Sequence, residues 1–176
     1  MDLTTMITSI AQDLLSLQTL AQTFALGIGL AFCVGAMQNA MKKSASAGAD
    51  ISGQSIFVSF FIGAAIINFS TLMTNTIGTL GGSGATYGSM ISYSGASAAG
   101  TFSTAVNAAL TLISTFGWWY GLKGWTLLKR ASSGGGGGGY EDHAWKGIIH
   151  VLAGAALVNI TGTLDALQAT IGSTSS

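Results

Sequence analysis

The sequence predicts an all-α membrane protein: four hydrophobic helices forming two tandem hairpins, behind an amphipathic N-terminal extension. Three observations carry that reading. Only 7% of residues are charged, against roughly 25% in an average soluble domain. All 6 basic residues fall in two short stretches, Lys42 and Lys43 in one, and Lys123, Lys129, Arg130 and Lys146 in the other. A motif in the second apolar run also recurs in the fourth.

The first element, residues 1–19, places Leu3, Met6, Ile7, Ile10, Leu14 and Leu17 at helical spacing. Such a segment lies on a membrane surface, packs on a partner, or simply extends the first span. It holds Asp2 and Asp13 but no Lys or Arg, so it lacks the basic start of a secretory signal. Residues 20–41 are apolar for long enough to cross a bilayer, which takes ~20 residues. Within them Gly27, Ala31 and Gly35 form a small-residue line of the kind that lets two helices approach closely. Residues 42–54 form a short basic loop.

The second span is residues 56–80, and residues 81–103 are an uncharged Gly/Ser-rich external loop. The third span, residues 105–128, carries Trp118, Trp119, Tyr120 and Trp125 in its second half. Trp125 suits a headgroup-level aromatic belt, whereas Trp118 and Trp119 sit deeper and are expected to face another helix. The loop at 129–146 includes a run of glycines at 134–139 that cannot be regular helix, since each Gly costs ~1 kcal/mol there. Residues 146–171 form the fourth span. Loops rich in Lys and Arg stay in the cytoplasm, so both basic loops are expected inside, with both termini and the 81–103 loop outside.

The chain reads as an internal duplication. Gly63-Ala64-Ala65-Ile66-Ile67-Asn68 returns as Gly154-Ala155-Ala156-Leu157-Val158-Asn159, followed by Ser70 and Thr161 respectively. Thr76-Ile77-Gly78 returns as Thr170-Ile171-Gly172, with about one extra helical turn before it. Residues 20–80 and 104–176 are therefore the two units, and a repeat of two spans keeps its orientation.

Polar residues inside the spans mark candidate sites. Gly63 and Gly154 are expected to serve helix packing. Asn68 and Asn159 are expected to hydrogen-bond across helices, worth roughly 0.6 kcal/mol in lipid, or to line a functional path. The basic residues act as topology determinants or bind lipid phosphate. Asp165 is an intramembrane carboxylate, expected to be exposed or to bond between subunits. Glu141, Asp142, His143 and His150 match no metal-ligand spacing and read as a solvated cluster, so no metal is expected. Net charge is zero, so no broad basic face advertises nucleic-acid binding. Cys33, the single cysteine, cannot form an internal disulfide. There is no nucleophile–base pair, and the glycine run lacks the Lys-Ser/Thr of a phosphate loop. Neither catalysis nor a cofactor is expected.

A helical hairpin with a basic loop inside and both ends outside resembles a conjugative or type IV secretion pilin, here in tandem. Trp118-Trp119-Tyr120-Gly121-Leu122-Lys123-Gly124-Trp125, the glycine run and Ala144-Trp145-Lys146-Gly147 resemble the TraQ conjugal transfer proteins of IncI-type plasmids. They are similar also to the related IcmC (DotE) components of type IVB secretion. The resemblance covers about the C-terminal two-thirds, mainly by pattern. It implies a bacterial inner-membrane component of a type IVB machine, with itself, phospholipid and other secretion components as partners. A pilus would be extracellular, and its basic loops would meet transported nucleic acid or protein only by nonspecific contact. A scaffold that never leaves the inner membrane is the other expectation.

Overall fold

The computed structural model describes residues 3–46, 51–80, 82, 88–132 and 140–173. The glycine run and part of the 81–103 loop lie outside them, as does the Glu141 side chain. Among the described residues every regular element is helical. They are α1 (Leu3–Ala45), α2 (Gly53–Ile67), α3 (Phe69–Thr79), α4 (Ser103–Ser132), α5 (Tyr140–Val158) and α6 (Ile160–Ser173), with a 3₁₀ segment at Ser94–Phe102. At Gly100 the backbone takes φ +55°, which turns that segment into α4.

The N-terminal extension and the first span are one helix. No proline interrupts the 43 residues of α1, which reach about 64 Å at 1.5 Å per residue. The second and fourth spans, by contrast, are not straight. The chain bends by 91° between α2 and α3, and by 89° between α5 and α6. The turning residues are Asn68 and Asn159, the duplicated asparagines. At Asn68 the backbone leaves helical geometry, with φ −96° and ψ 38°. Asn ranks among the poorer helix formers, so a break there costs little propensity. At the second break, hydroxyls accommodate the bend. Ser114 Oγ donates to the Val158 carbonyl at 3.2 Å, and Thr163 Oγ1 donates to Ala156 O and Asn159 O at 2.9 and 3.0 Å. A break at membrane depth is tolerated when the freed backbone groups find such partners. Among the described residues two helices are thus long and apolar enough to cross a membrane, or up to four if each bent pair is one span.

The same hairpin is built twice. α1 and α2 run antiparallel and meet at Gly29 and Gly63. A Cβ on Gly63 would lie 2.9 Å from Gly29 O and 3.0 Å from Cys33 N. α4 and α5 meet alike, since a Cβ on Gly154 would lie 2.8 Å from Gly117 O and 2.6 Å from Gly121 N. Gly124 and Gly147 extend that contact, a Cβ on Gly124 meeting Gly147 O at 2.8 Å. Only glycine permits such backbone approach. The expected packing line is corrected here. Gly27 and Gly35 have nothing within 4 Å of a built Cβ, and it is Gly29 and Cys33 of α1 that meet Gly63 of α2.

α1 and α4 run parallel. Gln18 bonds Thr115, Phe24 stands 6.0 Å from Trp119, and the Lys129 ammonium lies 5.1 Å above the Phe32 ring. The core gathers Ala21 and Ala25 from α1, Ile62 and Ile66 from α2, Trp118 and Leu122 from α4, and Ala155 and Val158 from α5. Phe69, Met73 and Ile77, one stripe of α3, complete it. Phe69 meets Trp118 edge-on with ring centroids 5.7 Å apart. The second copy does otherwise. Every side chain of α6 from Asp165 to Gly172 is exposed, with Leu167 54% accessible.

Candidate functional site

Parallel α1 and α4 bring the two basic stretches to one end of the bundle. Lys42 and Lys43 occupy the last turn of α1, and Lys129 and Arg130 the last turn of α4. Arg130, Lys42 and Lys43 are exposed; Lys129 is half-buried over α1. Lys123 is exposed on α4, less than two turns before Lys129. Lys146, in α5, lies 3.5 Å from Asp142 one turn before it, an exposed pair.

A groove of about 590 Å³ opens between these helices at the basic end, lined among others by Phe32 and Asn39 of α1, Gln54 and Ser55 of α2, and Lys129 and Ser132 of α4. It combines one cation with neutral hydrogen-bonding groups and an apolar flank from Phe32 and Val58. That donor set suits an anionic headgroup with an attached apolar chain.

The opposite end is held by a polar seam that the sequence reading did not foresee. Gln18, 2% exposed, donates through Nε2 to Thr115 Oγ1 at 3.0 Å and accepts at Oε1 from the Gly88 amide at 3.2 Å. Thr111 Oγ1 accepts from the Ile91 amide at 3.0 Å, and Asn107 Oδ1 from the Tyr93 amide at 3.1 Å. The loop before α4 thus lies along the bundle, its amides bonded to side chains. The available signal was Asn107, Thr111 and Thr115 at four-residue spacing in an apolar helix, which place one polar edge on one face.

The remaining candidates are dispersed. Asn68 is exposed and makes no side-chain cap at its break. The Asn159 amide lies against Gly82, where an added Cβ would collide with it. The two asparagines therefore stand at bends rather than pairing helices in mid-span. Asp165 is exposed on α6. His150 stacks on Tyr120 at 5.6 Å with Nδ1 2.7 Å from Lys146 O. Among the described residues no three metal-ligating side chains come together. Trp118 is buried against α3 and Trp119 packs on α1.

Comparison with protein-family models, curated proteins and solved structures finds no match.

Proposed function

We propose that the chain is a structural, pilin-like subunit of a type IVB conjugation or secretion system. It is inserted in the bacterial inner membrane with both termini outside. From there it polymerises into an extracellular pilus that links donor and recipient and can conduct DNA or protein. The observation that carries this is the length of apolar surface on α1. Exposed Met6, Ile10, Leu17, Leu20, Phe24, Leu30, Val34, Met37 and Met41 run along the helix. From Met6 to Met41 they cover about 50 Å at 1.5 Å per residue, more than the ~40–45 Å of a bilayer with its headgroups. Neighbouring subunits would cover what lipid does not, with no hydrophobic penalty relative to the bilayer.

The basic groove supports phospholipid as a companion. Lys129 would meet the phosphate beside Asn39 and Gln54, and Lys42, Lys43 and Arg130 would raise the local positive potential. In a filament these residues would offset bound lipid charge and tolerate passing nucleic acid through nonspecific attraction. Other secretion-system membrane proteins are partners during assembly.

Shearing donor cells, followed by mass spectrometry and electron microscopy, tests the reading. The chain should be the dominant protein of the released filaments, with lipid co-purifying. If it stays wholly in the inner membrane while filaments shear off without it, it is a scaffold or assembly component instead.

A further inference from the structure

The way the two hairpins join inside one chain specifies how one chain would join the next. The glycine contacts align the repeats. Gly29 and Cys33 stand to Gly63 as Gly117 and Gly121 stand to Gly154. In that register Leu30 and Val34 of α1 correspond to Trp118 and Leu122 of α4. Trp118 and Leu122 are 1% and 5% exposed in the core that α3 of the preceding hairpin completes. Their counterparts Leu30 and Val34 are 48% and 50% exposed.

The covering element is left over in the same manner. α3 places Phe69 on Trp118, and a Cβ on Gly121 would meet Met73 Cε at 2.7 Å. The duplicated asparagines make Ile160 and Leu164 of α6 the counterparts of Phe69 and Met73. α6 leaves its hairpin through the same near-right-angle bend, with Leu167 exposed one turn further on. Among the described residues, α6 is half-buried at Ile160 and Leu164 and exposed from Asp165 on, with no hairpin packed on it as α4 packs on α3, and Leu30 and Val34 of the first hairpin lie exposed. Gly27 and Ala31, open on α1, correspond to Thr115 and Trp119, with which α4 receives the preceding α1.

We infer that α6 of one chain docks across α1 of a second copy, Ile160 and Leu164 against Leu30 and Val34, repeating the contact of α3 with α4. The contact is heterologous, so each added copy exposes a new α6 and a new α1. It closes into a ring or continues as a helical filament according to the rotation per step. The inference rests on the reading of the chain as a self-assembling membrane subunit, and the experiment separates the two.

In a Cys33→Ala background, Leu30→Cys with Ile160→Cys is treated in native membranes with a short bis-maleimide. A ladder of dimers, trimers and larger species is expected, with each single cysteine giving nothing beyond dimer. In the otherwise native chain, exposed Leu167→Lys should shift the species in mild-detergent micelles toward monomer, while the chain stays in the membrane fraction. Monomer alone from the double variant while it stays in the membrane, or a Leu167→Lys mass distribution identical to native, overturns the contact. A ladder in cells whose sheared filaments lack the chain keeps the contact and removes the pilus. Filaments of this chain without the ladder do the reverse.

Discussion

Single side chains decide how closely the helices of each hairpin approach. Gly154 faces the Gly117 carbonyl and the Gly121 amide at distances that no Cβ tolerates, and neither neighbour is a flexible side-chain end. Gly154→Ala should destabilise by about 1–3 kcal/mol, the range for overpacking a tight contact. Gly27→Ala, with open space around the new methyl, should leave the monomer unchanged. Thermal unfolding of both variants in micelles measures the contrast. Gln18 offers a second test at this scale. Gln18→Leu removes the acceptor of the Gly88 amide and a donor to Thr115, and an unsatisfied buried group costs about 1–3 kcal/mol. Faster hydrogen exchange at Gly88 is expected, and unchanged protection would place the loop's anchor elsewhere. Neither Gly29 nor Gln18 was legible in the sequence. Gly27, Gly29 and Gly35 are equally small, and only the azimuth at which α2 meets α1 chooses among them.

At the scale of elements, the duplicated motif marks where helices turn. Asparagine sits at both bends, and at the second the hydroxyls of Ser114 and Thr163 take up carbonyl bonding. Ser114→Ala should cost about 1 kcal/mol, the net worth of an ordinary hydrogen bond. It should also loosen the angle between α5 and α6. Spin labels at exposed Leu152 and Leu167 would report this as a broader distance distribution; a distribution as narrow as native would show the bend is set elsewhere. Hydropathy could not show the bends. A window of apolar residues reads alike whether the helix is straight or folded, and α2 with 15 residues reaches only about 22 Å. α3 and α6 also differ in what packs on them. The sequence similarity predicts the same helix in each repeat, but among the described residues α3 packs on a following hairpin and α6 is exposed from Asp165 on.

For the whole molecule, parallel α1 and α4 set Lys42, Lys43, Lys129 and Arg130 at one end and the polar seam near the other. That polarity supports a fixed orientation through the positive-inside bias. Lys42→Glu with Lys43→Glu should leave part of the population inverted or lower its phospholipid content. Labelling of an engineered C-terminal cysteine by an impermeant maleimide, with lipid phosphorus per chain, measures both. Native orientation and native lipid in that variant would refute the role given to the first basic loop.

By itself, the sequence determined the class and the punctuation of this protein. Scarce charge and long apolar runs require helices suited to a membrane, because the backbone must satisfy itself where water is absent. Confined lysines and arginines define one end, and the repeated Gly-to-Asn motif fixes equivalent points in two hairpins. Tertiary structure alone decided that α1 is continuous through residues 3–45, that the asparagines are corners, and that Gly29 rather than Gly27 meets α2. It also decided that α3 is buried in the core while α6 is exposed from Asp165 to Gly172. The reason is physical: composition and periodicity report how apolar a face is. Which face is buried depends on the crossing of two helices, and that is settled only when both backbones are in place.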